Sequence, residues 1–370
     1  MKHSHWIKTI SKGIGLLLGI LLVIVVGYVI YMQLQYYRIP DHQTITTKND
    51  QSKTIQLDHP YTAMTYNIGF GAYSPSYSFF MDTGESLKGE KTQGKYSRAY
   101  SKAEEEKNTN GSIQTVQKID PDFAFIQEID EKATRSYGVN QLQLFEQNLN
   151  QYGVAYAKDF HTAYLFYPFT EPHGAVQGGI VTFSKYHIQS NERRQFPVSS
   201  AFIEKFMDLD RCFLVSHMPV SNGKELMMIN LHMSAYDKGG KSREAQLKLL
   251  NQVMQDEAQK GNYVIVGGDF NHSLGDSIHQ FPTQQKTPDW VYELKDSDIT
   301  SGFRFVKATN ATTVPTCRAT DIPYEPGYSY TTVVDGFLVS DNVQATAENQ
   351  DNGFAYADHN PVKLTFTLKK

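Results

Sequence analysis

The sequence predicts an α/β protein carried behind one apolar N-terminal helix, and three observations predict it. Residues 13–32 read GIGLLLGILLVIVVGYVIYM, twenty residues without a charge. Past residue 60, short runs rich in Val, Ile, Phe and Tyr alternate with turn signals and occasional helical patterns, as buried strands of an α/β domain do. Six of those runs end in, or just after, an acid, an amide or an imidazole. Composition agrees: 370 residues, 40% hydrophobic and 12% aromatic, exclude a disordered chain. Two cysteines exclude both a disulfide-built scaffold and a four-thiolate zinc site.

At about 1.5 Å per residue, a helix over 13–32 crosses a hydrocarbon core of about 30 Å. A cleaved signal peptide needs a shorter apolar run and a small-residue exit. This run leads instead into Tyr28, Tyr31, Tyr36 and Tyr37, residues suited to the interfacial belt. Lys2, Lys8 and Lys12 precede the span, so the positive-inside rule makes residues 1–12 cytoplasmic and the large C-terminal part extracellular. Residues 33–60 read as an extracellular tether, because 39–59 are polar and show no sustained period. Outside the cell Cys212 and Cys317 have two readings, a disulfide or two buried thiols. The net charge of −4 is uneven: residues 1–38 hold four Lys/Arg and no acid, which leaves the rest near −8. Such a surface is a poor footprint for holding duplex DNA.

Residues 61–370 read as one domain. The expected strands are 61–67, 123–128, 179–183, 212–216, 226–232, 263–267, 333–339 and 362–368. A helix follows Ser242 as its cap, with Leu247, Leu250, Val253, Met254 and Ala258 at helical spacing and Gly261 as its stop. Shorter helical patterns cover 112–119 and 141–152. The long stretch 69–111 is charged and aromatic by turns, and reads as a solvated insertion.

The polar strand ends carry the chemistry. They are Asn67, Glu128, Asn230 with His232, Asp269 with Asn271, Asp335, and Asp358 with His359. Singly, each has a plain reading: a turn former, an edge acid, a capping residue, a hydrogen-bonded core histidine. Together they can line a cleft on a rigid scaffold. Glu128, Asp269, Asp335 and Asp358 are hard oxygen donors, which suit Mg²⁺ first and also Mn²⁺ or Ca²⁺. Phosphoester hydrolysis needs charge neutralisation, an oriented water and a proton for the leaving oxygen. Zinc-protease, nucleophile-elbow and phosphate-loop motifs are absent from the sequence.

In this order, MTYNIG, FIQEID, INLHMS, GGDFN, VDGFLVS and ADHNPV resemble the endonuclease/exonuclease/phosphatase superfamily, in particular its deoxyribonuclease- and sphingomyelinase-like members. The resemblance covers residues 61–368, and GDFN followed by A-D-H-N-P is its most specific part. YNIGFGAYSPSYSFFMD and PTCRATDIPY also resemble a Gram-positive branch named for regulation of fibrinogen binding. The resemblance implies a four-layer sandwich: two mixed β-sheets face to face, helices outside, and a cleft at one end. It implies that Glu128 carries a divalent metal with Asn67 in support, and that Asp269 orients or deprotonates water. Asn271 and His359 would bond the phosphate, with His359 oriented by a carboxylate. His232 would be an acid for the leaving group, and Asp335 would join the metal shell or support a histidine.

Two departures lean away from abasic-site repair. Gly69 stands where some repair members carry an acid, and His232 stands where they use Tyr. The insertion supplies Arg98 and the helix start supplies Arg243 as phosphate contacts, against the plainer readings of surface charge and packing. The expectation is a membrane-anchored extracellular phosphodiesterase acting on lipid head groups, cell-wall polymer or nucleic acid. An extracellular nuclease, a phosphomonoesterase and a non-catalytic surface module on the same fold are the alternatives.

Overall fold

The computed structural model describes residues 2–199, 201–202, 204–235 and 241–370. Helix α1 (Lys2–Gln35) contains a span, Thr9–Gln35, long and apolar enough to cross a membrane, and its most apolar 18-residue stretch is not buried. Then follow β1 (Gln43–Ile45), β2 (Tyr61–Asn67), α2 (Lys102–Ile119), β3 (Phe123–Ala133), α3 (Gln141–Asn148), β4 (Gly153–Leu165), β5 (Gly174–Ser184) and β6 (Ser190–Gln195). The second half brings β7 (Cys212–Pro219), β8 (Glu225–His232), α4 (Lys241–Gln259), β9 (Tyr263–Asp269), β10 (Phe303–Phe305), β11 (Asp335–Ser340), β12 (Val343–Asn349) and β13 (Val362–Leu368).

Two mixed sheets form the body, seven-stranded β1-β6-β7-β8-β9-β11-β10 and six-stranded β12-β13-β2-β3-β5-β4. Period-2 alternation sorts each central strand into two faces. Tyr61 and Ala63 of β2, Phe123 and Phe125 of β3, Leu226 and Met228 of β8, and Tyr263 and Ile265 of β9 meet in the core between the sheets. The intervening Met64, Tyr66, Ala124 and Ile126 face outward and pack under Ile113, Val116, Leu142 and Phe145 of α2 and α3. On the other outer face, Met227, Ile229, Val264 and Val266 pack under Leu250 and Met254 of α4. The result is the four-layer sandwich. Between the sheets Gly267 leaves no room for a side chain: a Cβ there would stand 2.4 Å from the ring of its cross-strand partner Phe337 and 2.9 Å from Phe125 of the facing sheet.

Several expectations change on contact with this fold. The insertion at 69–111 is folded: it holds a short hairpin (Thr83–Glu85 with Lys91–Gln93) and a cluster of Phe70, Tyr73, Tyr77 and Phe79. Helix α2 starts at Lys102, ten residues before the expected 112, because Ser101 caps it by accepting the Glu104 N–H (3.1 Å). Residues 39–59, read as a tether, are joined to the body: Gln43–Ile45 pairs antiparallel with β6, Lys48 bridges Val154, and Ile55 is fully buried beside Val220. Cys212 and Cys317 are both free thiols in the core, so the disulfide reading is set aside. Helix α4 ends as expected, with Gly261 in the left-handed region (φ 78°); it begins at Lys241, so Ser242 lies inside its first turn.

Candidate active site

The residue parity that fills the core also builds the cleft. On β2 the inward row runs Tyr61, Ala63, Thr65, Asn67; on β8 it runs Leu226, Met228, Asn230, His232; on β9 it runs Tyr263, Ile265, Gly267, Asp269. Each row is apolar between the sheets and turns polar at the same end. On β11 the direction reverses, so Asp335, its first residue, pairs with Asp269 and reaches that end too. Glu128 breaks parity, and a register shift between Ile126 and Ile129 explains how. Its φ of 53° is a left-handed conformation that costs a non-glycine residue about 1–3 kcal/mol. That bulge turns the carboxylate toward Asn67.

Asn67 ties the centre together. Its Oδ1 accepts the Gly69 N–H (2.9 Å), and its Nδ2 donates to Glu128 Oε1 (3.1 Å) and Asp269 Oδ2 (3.0 Å). Asn67 therefore holds two carboxylates rather than offering its own oxygen outward. Asp269 Oδ1 accepts the Asn271 N–H (2.8 Å), and Asn271 Nδ2 donates to the Met233 carbonyl (2.8 Å) and reaches Asp269 Oδ2 at 3.4 Å. Asp269 Oδ2 stands between two imidazoles, 3.5 Å from His232 Nε2 and 3.8 Å from His359 Nε2.

The two histidines are held in opposite states. Burial works against a charge on His359, but Asp335, Cys317, Asp269 and Asp358 together lift it well above the ordinary imidazole value. Its Nδ1 donates to Asp335 Oδ2 at 2.8 Å. The orienting carboxylate is thus Asp335, not its chain neighbour Asp358. His232 is pushed well below the ordinary value by burial, then by Arg211, His359 and Arg135. Those surroundings favour its neutral form, against the proton-donor role expected from the sequence.

Two residues that the sequence did not flag stand beside His232. Asp159 Oδ2, from β4, lies 3.8 Å from His232 Nδ1, and neither atom has a hydrogen-bond partner among the described residues. Burial raises Asp159 to about 6, against the pull of Arg211. Arg211 itself is buried, and its Nε and Nη1 find no partner among the described residues. No strand-end signal could have found either, since Asp159 sits within a long strand and Arg211 in the connection before β7.

Asp358 packs beside Gly69. Gly69 has φ 51°, and a Cβ there would stand 3.0 Å from Asp358 Oδ1. Burial raises Asp358 to about 7, with His359 opposing and Glu128 adding. The two expected arginines are elsewhere. Arg243 is buried, stacked 3.8 Å above the Tyr292 ring, and donates to the Trp290 carbonyl (3.1 Å): a packing residue. Arg98 lies 5.8 Å from the Tyr137 ring centroid, and no hydrogen bond or ion pair joins it to the cleft among the described residues.

The donor set fits a hard divalent cation. Asp269, Asp335 and His359 offer ligand atoms within 4.8 Å of one another, and the half-buried Glu128 adds a carboxylate. Asp335 Oδ1 is buried without a partner among the described residues, which an ion could satisfy. Asp269, Asp335 and Glu128 would hold such an ion, which would supply positive charge beside two imidazoles whose surroundings favour opposite protonation states.

Residues 64–331 match the sequence model of the Endonuclease/Exonuclease/phosphatase family. No curated protein matches the chain. Solved structures share its fold. An endonuclease/exonuclease/phosphatase from Beutenbergia cavernae DSM 12333 is 14% identical with a TM-score of 0.56, over 84% of this chain and 72% of its own. A family protein from Leptotrichia buccalis C-1013-b is 12% identical with a TM-score of 0.53, over 83% of this chain and 100% of its own. TDP2 from C. elegans is 14% identical with a TM-score of 0.52, over 83% of this chain and 75% of its own.

Proposed function

The chain belongs to the endonuclease/exonuclease/phosphatase family, and from that premise we propose that it is a membrane-anchored, outward-facing phosphodiester hydrolase dependent on a divalent metal, Mg²⁺ first among the candidates. One observation carries the reading: Asp269 lies between two buried histidines whose surroundings drive their protonation apart. Paired groups pushed in opposite directions mark an acid and a base.

Glu128, held by Asn67, would lead the metal's ligands, with Asp269 and Asp335 at hand. The ion, when bound, polarises a phosphate oxygen and neutralises developing charge. Asp269 orients the attacking water, and neutral His232 beside it accepts the water's proton. As water's oxygen bonds to phosphorus, the bond to the leaving oxygen breaks opposite it. Cationic His359, steadied by Asp335, donates to the phosphate and is the proton reserve for the departing oxygen. Asn271, positioned by Met233 and Asp269, bonds the equatorial oxygens. Buried Arg211 adds positive charge near His232, which favours a phosphate held there.

The test uses the full chain in detergent on bis-p-nitrophenyl phosphate with EDTA, Mg²⁺, Mn²⁺ and Ca²⁺ in parallel, with Asp269→Ala as the blank. Turnover restored by a divalent ion and absent from the blank supports the reading. Equal rates in both proteins, or none in either while the protein is folded, would move the weight to a binding module.

A further inference from the structure

The cleft and the anchor share one end of the sandwich. Asn67, His232 and Asp269 close β2, β8 and β9 at that end. Strand β3 runs on past Glu128 to Ala133, which pairs with Val176, so the β4–β5 turn (residues 166–173) projects beyond the same end. Gln195 of β6 pairs with Cys212 of β7, which places the connection between them there as well. Both connections lie against the last turns of α1. Tyr28 Oη donates to the Tyr164 carbonyl (3.0 Å), Tyr31 Oη accepts the Tyr164 N–H (3.2 Å), and Tyr28 packs edge-on against Phe166. Tyr36 packs likewise on Phe206, and Lys205 Nζ donates to Gln33 (3.0 Å).

The tips of these two connections are apolar and open. Phe169 is 85% exposed, and Phe166, Tyr167, Phe202 and Met207 are each at least half exposed. Five large apolar side chains on two neighbouring loops form a patch of the kind that marks an interaction surface. Its surroundings name the occupant. The patch adjoins a helix that spans a bilayer in the reading above, at the level of that helix's tyrosines. Lys205 sits 4.7–4.9 Å from the ring centroids of Tyr36, Phe202 and Phe206, an amine over aromatic bodies as at a head-group boundary.

Resting on the proposed phosphodiesterase reading, we propose that this end of the protein is seated in the bilayer interface, so that the phosphodiester it cleaves is a lipid head group of the same leaflet. The 204–211 segment links the two roles. Met207 lies in the foot, and four residues on, buried Arg211 is near enough for its charge to act on His232. Lipid contact and phosphate contact are then borne by one short stretch of chain.

The deciding measurement is depth. Full-length protein in phosphatidylcholine/phosphatidylglycerol proteoliposomes would carry a spin label at Phe169→Cys or, as a control, at Ser221→Cys on the turn after β7, at the far end of the sheet. The native thiols are buried. Residue 169 should collide with oxygen at least fivefold more, relative to an aqueous nickel reagent, than residue 221. Equal aqueous access at both sites would overturn the proposal. So would dipolar broadening at 169 that grows with protein density, which would assign the patch to a second copy. A second arm compares wild type with the Phe169→Glu/Phe202→Glu double variant. Bis-p-nitrophenyl phosphate turnover should be unchanged, while head-group release from mixed phospholipid vesicles falls tenfold or more. Soluble-ester turnover with no lipid turnover by wild type would overturn the substrate assignment. Failure of wild type on both esters, with residue 169 still at lipid depth, would sink the hydrolase reading and leave the seating intact.

Discussion

On one side of Asp269, His359 and Asp335 close a hydrogen bond of 2.8 Å. On the other, His232 and Asp159 face each other across 3.8 Å with no bond, beside an arginine with two unpaired nitrogens. Both sides are buried and both present an imidazole to the same carboxylate. A buried polar group without a partner costs about 1–3 kcal/mol, so the first side is finished but for Asp335 Oδ1, and the second is held open at His232 Nδ1, Asp159 Oδ2 and two Arg211 nitrogens. The difference teaches where the ligand completes the protein: the finished side is preorganised for a charge already present, and the open side for one the substrate brings.

Substitutions can break that contrast, and the largest effect belongs to the shared carboxylate. Asp269→Ala should lower kcat by about 10³-fold or more, because both imidazoles lose their partner; steady-state kinetics on the soluble ester checks this. Asp335→Asn should cost about 10²-fold and also move the pH profile. His359 is charged below its raised pKa, so activity should hold through neutrality and fall at alkaline pH as that proton is lost. Removing the Asp335 charge lowers that pKa, so the alkaline limb should shift to lower pH. An unmoved limb would show that another group sets it.

The open side should respond differently. Arg211→Met should raise KM by about tenfold with a smaller change in kcat, the pattern of lost substrate binding. It should also melt no earlier than wild type, since two of the guanidinium nitrogens it removes, Nε and Nη1, are buried without a partner among the described residues. A marked fall in Tm would contradict that. The smallest effect should come from Cys317→Ser. The Cys317 backbone bridges that of His359 and burial pushes the thiol up to about 12, and a serine keeps a small polar group there; kcat should change less than twofold.

Much of this was legible in the sequence because one parity rule governs both core and cleft. Tyr61–Asn67 and Val362–Leu368 have the expected bounds. The polar terminus of each inward row is visible as a polar residue closing an apolar run. What stayed hidden depends on partners far along the chain. Gly153–Leu165 carries Lys158, Asp159 and His161 within a strand, and its pairing with Gly174–Ser184 overrides its weak local pattern. Ser190–Gln195 is polar throughout yet pairs on both sides. Asp159 could not be recognised as a neighbour of His232 without that topology. The insertion's helix start was readable, since Ser101 and Glu104 have the spacing of a capping pair, but charge and length masked it.

The first strand has a mechanical consequence. Only residues 36–42 separate the end of α1 from β1, about 24 Å at full extension. Even these are pinned: Arg38 pairs with Asp210 at 2.6 Å, and the Pro40 carbonyl accepts from Arg193. A leash this short cannot swing. On the proposed membrane-anchored reading, the domain turns with its helix and meets what drifts past it in the bilayer, so its search is lateral diffusion. Its rate then follows how densely substrate is spread over the surface, not how much is dissolved above it.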